Sequence, residues 1–535
     1  MNSRFIRSLV LLVTIIALSW RFYDLDRDPV PVSASLSEVL DPAGYLYNAR
    51  SFALTGDWRA EAYGHIFRIA PAFALLAGLW IKILGLGYGR IVLLSVFSGF
   101  VVIGCIAGMA EIAARQWGSS LPRYWAGIFA LWSLGISYVF FALQQVPKGD
   151  MESMAVSAVA ALLLVSLDGI DESAGLPLRA FIAGLGIGLA PLVKLHAAMF
   201  SAAALMAWSL GPFIREPRWR RTWKKATPYL FAGLLCTAFG WVPWYKWTSV
   251  HSFPTTTLAA PFGTSSRTIT STLSALFGSN LFYRHPVEIA LAILAVAVYS
   301  LDILKNWSLM FYTLWFLFGA AIFSLLTYSP TRYRLLFVAP TVVLASHIWT
   351  GIATGRFNGA AKSWNVGAGT FGLLLFVFAE IYALQIRLNL GWSVLTVLAL
   401  AAGCALPFAW IWRSIVLHEG SIVIANLIIV LMFVIALPQW IGGESHRDHI
   451  YQQLALTLVA KHSGLILGGD IGCQLALWTN EDCSMDLTES AKSPVTHLLL
   501  RESDNEITTI PQKFHEISRF KLPGVPEPVI LLGRE

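Results

Sequence analysis

The sequence predicts an all-α polytopic membrane protein that ends in a small α/β segment. Three observations carry that expectation. Apolar runs of about 18 residues or more recur through positions 1–440, the length a helix needs to cross a hydrocarbon core of about 30 Å. Charged residues make up only 13% of the chain, against about 25% in soluble proteins, and the mean hydropathy is +0.64. The 21 Trp and 16 Tyr suit a molecule with many membrane–water boundaries.

Taken in order, the apolar runs place thirteen spans near 5–22, 91–113, 124–142, 153–168, 179–195, 197–213, 228–246, 286–303, 307–327, 335–352, 367–386, 391–412 and 421–440. The first run follows Arg4 and Arg7 and imitates a signal peptide. It lacks a small-x-small cleavage site, so it reads as an uncleaved span. The apolar stretch 69–86 (IAPAFALLAGLWIKILGL) is a fourteenth candidate, and basic loops decide its fate, because such loops favour the cytoplasm. The strongest is REPRWRRTWKK (215–225), with six basic residues against one acid. Counting 69–86 as a span sends that loop outside. Leaving it out puts every basic loop inside. The stretch also holds Lys82, Pro71 and several glycines, and it reads as an interfacial helix on the outer face.

The N-terminus is then inside and the C-terminus outside. The outer segments are 23–90, 143–152, 247–285, 328–334, 387–390 and 441–535. This divides the chain into a membrane domain, 1–440, and an extracytoplasmic α/β cap, 441–535. In the cap, GLILGG, THLLLRE and PVILLGR read as short strands between helical stretches. No internal repeat is visible. The net charge of +7 belongs largely to loops between spans and does not imply nucleic-acid binding. Cys105, Cys236 and Cys404 sit in apolar runs. Cys473 and Cys483, ten residues apart on the oxidising side, are candidates for a disulfide, with two free thiols as the alternative.

With that topology, the unusual polar residues collect on the outer face. Asp41 lies in the first outer loop. VPKGDMES (146–153) places Lys148, Asp150 and Glu152 in the second. His65 and Arg68 precede the interfacial helix, and YSPTRYRLLF (328–337) places Arg332, Tyr333 and Arg334 in a short outer turn. Two arginines there run against the charge rule and call for an anion. Guanidinium binds phosphate oxygens bidentately and stays charged when partly buried. Acids and arginines at the outer leaflet suit transfer of a sugar from an isoprenoid phosphate. The leaving phosphate is already ionised and needs cations, and an acceptor hydroxyl needs a base. Direct displacement inverts the anomeric centre. Each residue also has a structural reading. Asp41 before Pro42 is a common helix start. Asp150 and Glu152 can cap the next span, Arg332 and Arg334 can anchor to headgroups, and His65 can be a surface histidine. Lys194, in LAPLVKLHAAM near the end of a span, reads as a snorkelling lysine.

These motifs resemble the GT-C membrane glycosyltransferases, in particular the protein O-mannosyltransferase and lipid A aminoarabinose transferase families. The likeness covers residues 1–350: a long outer loop with Asp41 and Tyr45 four residues on, a TGDW ending, a basic residue before a Pro-led apolar helix, an outer Asp before a span, and an outer Arg-Tyr turn. It implies sugar transfer from a polyprenyl-phosphate donor, without a nucleotide sugar, at the extracytoplasmic face of the cell inner membrane. The acceptor would be an envelope glycolipid, a polysaccharide or a protein. By the same likeness Asp41 and Asp150 match the catalytic acids. Arg68 matches the basic residue that contacts the donor phosphate, and Arg332 and Tyr333 match the later Arg-Tyr motif. Tyr45, His65, Lys148, Glu152 and Arg334 join them as substrate-binding candidates. Pro42 stands where the family has Glu, and APAF replaces PPL. Some relatives hold a divalent cation with such acids and others do not, so a cation on Asp41, Asp150 and Glu152 is left open and no metal ligand is assigned.

A transporter or flippase of lipid-linked sugars is the alternative, and a non-catalytic scaffold a third reading. Transporters carry repeats and polar residues at mid-membrane depth. Here the charges gather at one face.

Overall fold

The computed structural model describes residues 3–28, 37–58, 64–117, 124–167, 175–250, 285–325, 335–355, 362–388, 390–417, 422–444, 448–462, 465–479, 481, 483–484, 495–501, 514–522, 525 and 527–534.

Every one of the thirteen apolar segments falls on helix. After α1 (Ser3–Ser19) come three helices in the first loop: α2 (Ser37–Thr55), α3 (Gly64–Ile69) and α4 (Ala72–Leu84). The chain then runs through α5 (Tyr88–Gln116), α6 (Trp125–Ile136), α7 (Tyr138–Gln144), α8 (Asp150–Ser166), α9 (Gly175–Val193), α10 (Ala198–Ser209) and α11 (Pro217–Val250). The second half holds α12 (Pro286–Val298), α13 (Trp307–Leu325), α14 (Leu335–Thr354), α15 (Lys362–Leu388), α16 (Val394–Leu417) and α17 (Ile422–Glu444). Among the described residues, six helices are long and apolar enough to cross a membrane: α5, α9, α14, α15, α16 and α17. The pair α6–α7, bent by 68°, makes a seventh if counted as one broken span. Shorter apolar helices lie in α1, α4, α10, α12 and α13.

The bundle is organised around α14. Every residue from Leu335 to Ile352 is buried, as expected of a helix apolar on all sides. It packs against α5, α6, α12, α13 and α17. At one end of the bundle Trp219 and Trp307 stack with centroids 4.5 Å apart, and the Trp307 indole donates to the Ala207 carbonyl. The basic run 215–225 starts α11 at this end. At the other end the α6–α7 bend is held by a buried polar cluster. Ser137 and His285 Nε2 are 2.9 Å apart, His285 Nδ1 lies 3.3 Å from Glu288, and the Ser133 hydroxyl donates to Glu288 at 2.8 Å.

The contested stretch 69–86 forms α4, whose 13 residues reach only about 20 Å against a core of about 30 Å. Ala77 and Ile81 are buried, whereas Leu79 and Ile83 face out. Its partner is α2, and Lys82 sits over the Phe52 ring at 4.0 Å. The helix is two-faced, and its lysine is absorbed by an aromatic face.

The tail forms the α/β segment. The helix α18 (Ile450–Lys461) leads to β1 (Leu467–Gly468), α19 (Gly469–Ala476), β2 (Cys483–Ser484), β3 (His497–Arg501), β4 (Phe514–Phe520) and β5 (Val529–Arg534). The sheet order is β2-β1-β3-β5-β4, parallel at β1 and antiparallel at β5. The three strands expected from sequence are β1, β3 and β5, which fill the middle of the sheet. The flanking β2 and β4 carry no comparable apolar run, and five of the seven residues of β4 are exposed. Asp28 ties the first loop to this tail, accepting the Ile450 and Tyr451 N–H groups at the start of α18. Burial pushes its carboxyl up to about 6, outweighing those two donors and the neighbouring His449.

Cys473 on α19 and Cys483 on β2 are joined by a disulfide. The helix α19 lies against α2, where Gln474 Oε1 accepts the Ala43 N–H at 3.2 Å and Arg50 Nη1 reaches Cys483 Sγ at 3.4 Å. Replacing both cysteines by serine is expected to destabilise the tail by roughly 2.5 kcal/mol, from the loop-closure entropy of ten residues. Hydrogen exchange should then rise in α18 and α19 and spread to the 43–50 part of α2. Unchanged exchange in α2 would mean that the tail does not brace it.

Candidate active site

The site is assembled from three parts of the chain. The first is α2. With 3.6 residues per turn, Asp41, Tyr45 and Asn48 share one face of this helix, while Ala43 and Arg50, which meet the tail, point the opposite way. Asp41 lies inside α2, four residues after Ser37, and so does Pro42. The helix-start reading of Asp41 is therefore wrong, because the boundary it would cap lies a turn earlier. Asp41 is buried.

The second part is the start of α8. Gly149 has φ +81°, a left-handed conformation, and a Cβ there would lie 2.9 Å from Phe73. Both facts demand glycine. The turn delivers Asp150 as the first residue of α8, where the helix dipole favours a carboxylate. Glu152 accepts the Ser95 hydroxyl of α5 at 2.7 Å and lies within electrostatic reach of Asp150 and Lys194. Lys148 is buried in the same turn.

The third part is the junction after α9, which the sequence reading undervalued. Lys194 does not snorkel; it is only 4% exposed. Its Nζ lies 3.7 Å from Asp150 Oδ1, donates to the Lys148 carbonyl at 2.6 Å, and sits over the Tyr45 ring at 3.2 Å. His196 Nε2 lies 3.5 Å from the same Asp150 oxygen. Opposite charges about 4 Å apart attract by about 4 kcal/mol at an effective dielectric near 20, and an ammonium over an aromatic face adds to this. That combination offsets the loss of water. One ammonium thus links the helix that carries Asp41 to the turn that carries Asp150.

Arg68 is placed nearby by α3. Two indoles of α11 hold that helix: Trp241 donates to the Ile69 carbonyl and Trp244 to the Phe67 carbonyl, both at 3.1 Å. The Arg68 guanidinium lies over the Tyr245 ring at 4.3 Å. A cavity of about 10 Å³ joins this segment to α2, with Tyr45, Asn48, Phe67 and Phe73 in its walls. The side chain of His65 lies outside the described residues, as do Arg332, Tyr333 and Arg334. Among the described residues, no three His, Cys, Asp or Glu side chains are grouped to hold a metal ion, and Asp41, Asp150 and Glu152 do not form such a group. A larger cavity of about 290 Å³ lies at the other ends of α5 and α14, among Trp117, Tyr299, Lys305 and His347. Asp302 is its sole carboxylate, and Lys305 is bonded to it at 2.6 Å.

Lys194 and His196 were legible in principle, as two basic residues in an otherwise apolar junction. Nothing local in the sequence marks Asn48, Arg50 or Gln474.

No protein-family model and no curated protein sequence matches the chain. Solved structures do. ArnT from Cupriavidus metallidurans, bound to undecaprenyl phosphate, superposes with a TM-score of 0.51 at 17% identity, covering 98% of both chains. The apo oligosaccharyltransferase of Archaeoglobus fulgidus gives 0.52 at 11% identity, over 94% of this chain and 70% of that one. The Archaeoglobus fulgidus oligosaccharyltransferase AglB, in complex with an inhibitory peptide and a dolichol-phosphate, gives 0.50 at 11% identity, over 98% and 74%. The fold is that of the GT-C membrane glycosyltransferases, as the sequence motifs led one to expect.

Lys194→Met should lower stability by about 3 kcal/mol, because it removes the ammonium that faces the buried Asp150. Adding Asp150→Asn should recover part of that loss in thermal unfolding of the purified protein. Strictly additive losses would show that the two side chains do not interact.

Proposed function

We propose that the chain transfers a sugar from a polyprenyl-phosphate donor to an acceptor at the extracytoplasmic face of the inner membrane, with inversion at the anomeric carbon. The observation that carries this reading is the Lys194 contact. It brings Asp150 and the Asp41-bearing face of α2 to one buried place, in a fold shared with an enzyme bound to undecaprenyl phosphate.

In the proposed reaction the bond between the anomeric carbon and the phosphate oxygen breaks, and its electron pair stays on the phosphate. Arg68 and Lys194, with Lys148, Arg332 and Arg334, supply the positive field that stabilises that charge. Tyr45, Tyr333 and His65 are assigned to donor binding on the sequence likeness alone. The acceptor oxygen attacks from the opposite side, and Asp41 takes its proton. Asp150 has a different task. Its carboxylate holds the Lys194 ammonium in position, and Glu152 keeps α8 in place through Ser95. The placement of the basic 215–225 run at the end of the bundle away from Asp150 supports the outward orientation, and so does the disulfide in the tail.

Asp41→Asn should lower transfer from a polyprenyl-phosphate sugar by about 10²-fold or more, the usual contribution of a general base, with donor affinity kept. Full transfer by that variant would remove Asp41 from the chemistry. Arg68→Ala should weaken binding of undecaprenyl phosphate, and unchanged affinity would leave Arg68 as a packing residue against Tyr245. A periplasm-sensitive reporter fused after residue 535 should be active, and an inactive one would invert the orientation.

A further inference from the structure

We propose that Asn48 reads the transferred sugar, by hydrogen-bonding a hydroxyl pair of the ring. The inference rests on the reading that the α2 site binds a polyprenyl-phosphate donor. Asn48 lies seven residues after Asp41, two turns along the same face of α2. It is 2% exposed, and it lines the site cavity together with Gly44, Tyr45, Phe67 and Phe73. Among the described residues, neither its Oδ1 nor its Nδ2 has a hydrogen-bond partner. Buried amides are almost always paired, because each unpaired end forfeits its hydration. An asparagine with both ends bare, in a cavity whose other walls are largely aromatic or aliphatic, is set for an incoming group.

The chemistry of that group follows from the amide. Nδ2 donates and Oδ1 accepts, so the partner must do both. A phosphate only accepts and would leave Oδ1 bare. An ammonium only donates and would leave Nδ2 bare. A sugar hydroxyl does both, and two neighbouring hydroxyls can engage the two ends at once. The cavity of about 10 Å³ takes one hydroxyl and no more, so the second hydroxyl and the ring meet Asn48 from its mouth. The flanking Phe67 and Phe73 offer apolar faces beside it. The cationic side chains, Lys194 and Arg68, match the phosphate by charge, so the proposed site divides its labour between charge and hydroxyl recognition. A site built to bond a hydroxyl rejects a ligand lacking it far more strongly than an apolar pocket rejects an extra group.

The test compares two kinds of lipid on the full chain in detergent. One is undecaprenyl phosphate without sugar. The other is a panel of undecaprenyl-phosphate hexoses and pentoses, from which the tightest binder is taken. Asn48→Leu should leave the affinity for undecaprenyl phosphate within about twofold and reduce that for the sugar-bearing lipid by about tenfold, the worth of one or two hydrogen bonds. Its melting temperature should be unchanged or higher, since two unpaired polar atoms are removed. Asn48→Ala should show the same selectivity, and it serves if the leucine variant does not fold. Equal weakening of both lipids would make Asn48 a phosphate ligand and overturn the inference. Weakening of neither would mean a bound water only, and a panel in which no sugar adds affinity over the bare lipid would contradict the inference equally. If undecaprenyl phosphate itself does not bind, the donor reading fails as well. If it binds and the variants show no selectivity, only the role of Asn48 fails.

Discussion

Lys194 Nζ lies 3.7 Å from Asp150, over the ring of Tyr45 and on the carbonyl of Lys148, and three separate pieces of chain meet because of it. A buried ammonium without partners would give up its proton or drag its helix toward water. Here a carboxylate, an aromatic face and a carbonyl replace the lost hydration. The arrangement is therefore closed to small change. Removing either Asp150 or Lys194 takes from the other its buried counter-charge. That mutual dependence fixes the start of α8 relative to α2, to a tolerance that matters for the proposed reaction, in which the attacking oxygen and the leaving group must face each other across one carbon.

The helix α2 bears this constraint by having two distinct faces. Asp41, Tyr45 and Asn48 turn toward the site, and Ala43 and Arg50 turn toward the tail. The disulfide pins α19 to β2, and α19 carries Gln474, which holds the Ala43 N–H. The α/β segment thus acts as a brace on the back of the helix that bears the proposed base. A membrane bundle alone would leave α2, a helix of the first loop, supported mainly by α4. The brace also explains why Asp41 need not cap anything. It sits in the body of the helix, where its orientation is set by packing on the far side.

The fold was largely legible from sequence. Apolar runs mark helices because lipid and a buried bundle interior both demand internally satisfied backbone and apolar side chains. For the same reason all thirteen runs lie on helix, and the Pro71-led stretch forms a helix shorter than a bilayer core. What a run could not reveal was its environment. The α14 run is enclosed on every side, while the α16 and α17 runs, which are more apolar still, are mostly unburied, and only the fold reveals this. Asp41, Asp150 and Arg68 could be named as candidates from sequence because the charges of separate loops collect on one face. Lys194 was misjudged because a lysine near the end of an apolar run has two energetically reasonable fates. The choice depends on whether an acid from another helix arrives, and Asp150 is 44 positions away. Asn48 and Gln474 were silent for a related reason. An amide side chain in a polar loop is ordinary, and its meaning appears only once its neighbours, 431 positions away for Gln474 and Ala43, are known.

The account stands or falls on where the lipid phosphate sits. The most direct measurement is a cryo-electron microscopy map of the full chain in lipid nanodiscs with undecaprenyl phosphate. The account predicts phosphate density within about 3 Å of the Lys194 ammonium or the Arg68 guanidinium, on the Asp41 face of α2. Phosphate density in the cavity among Trp117, Lys305 and His347, at the opposite end of the bundle, would contradict it.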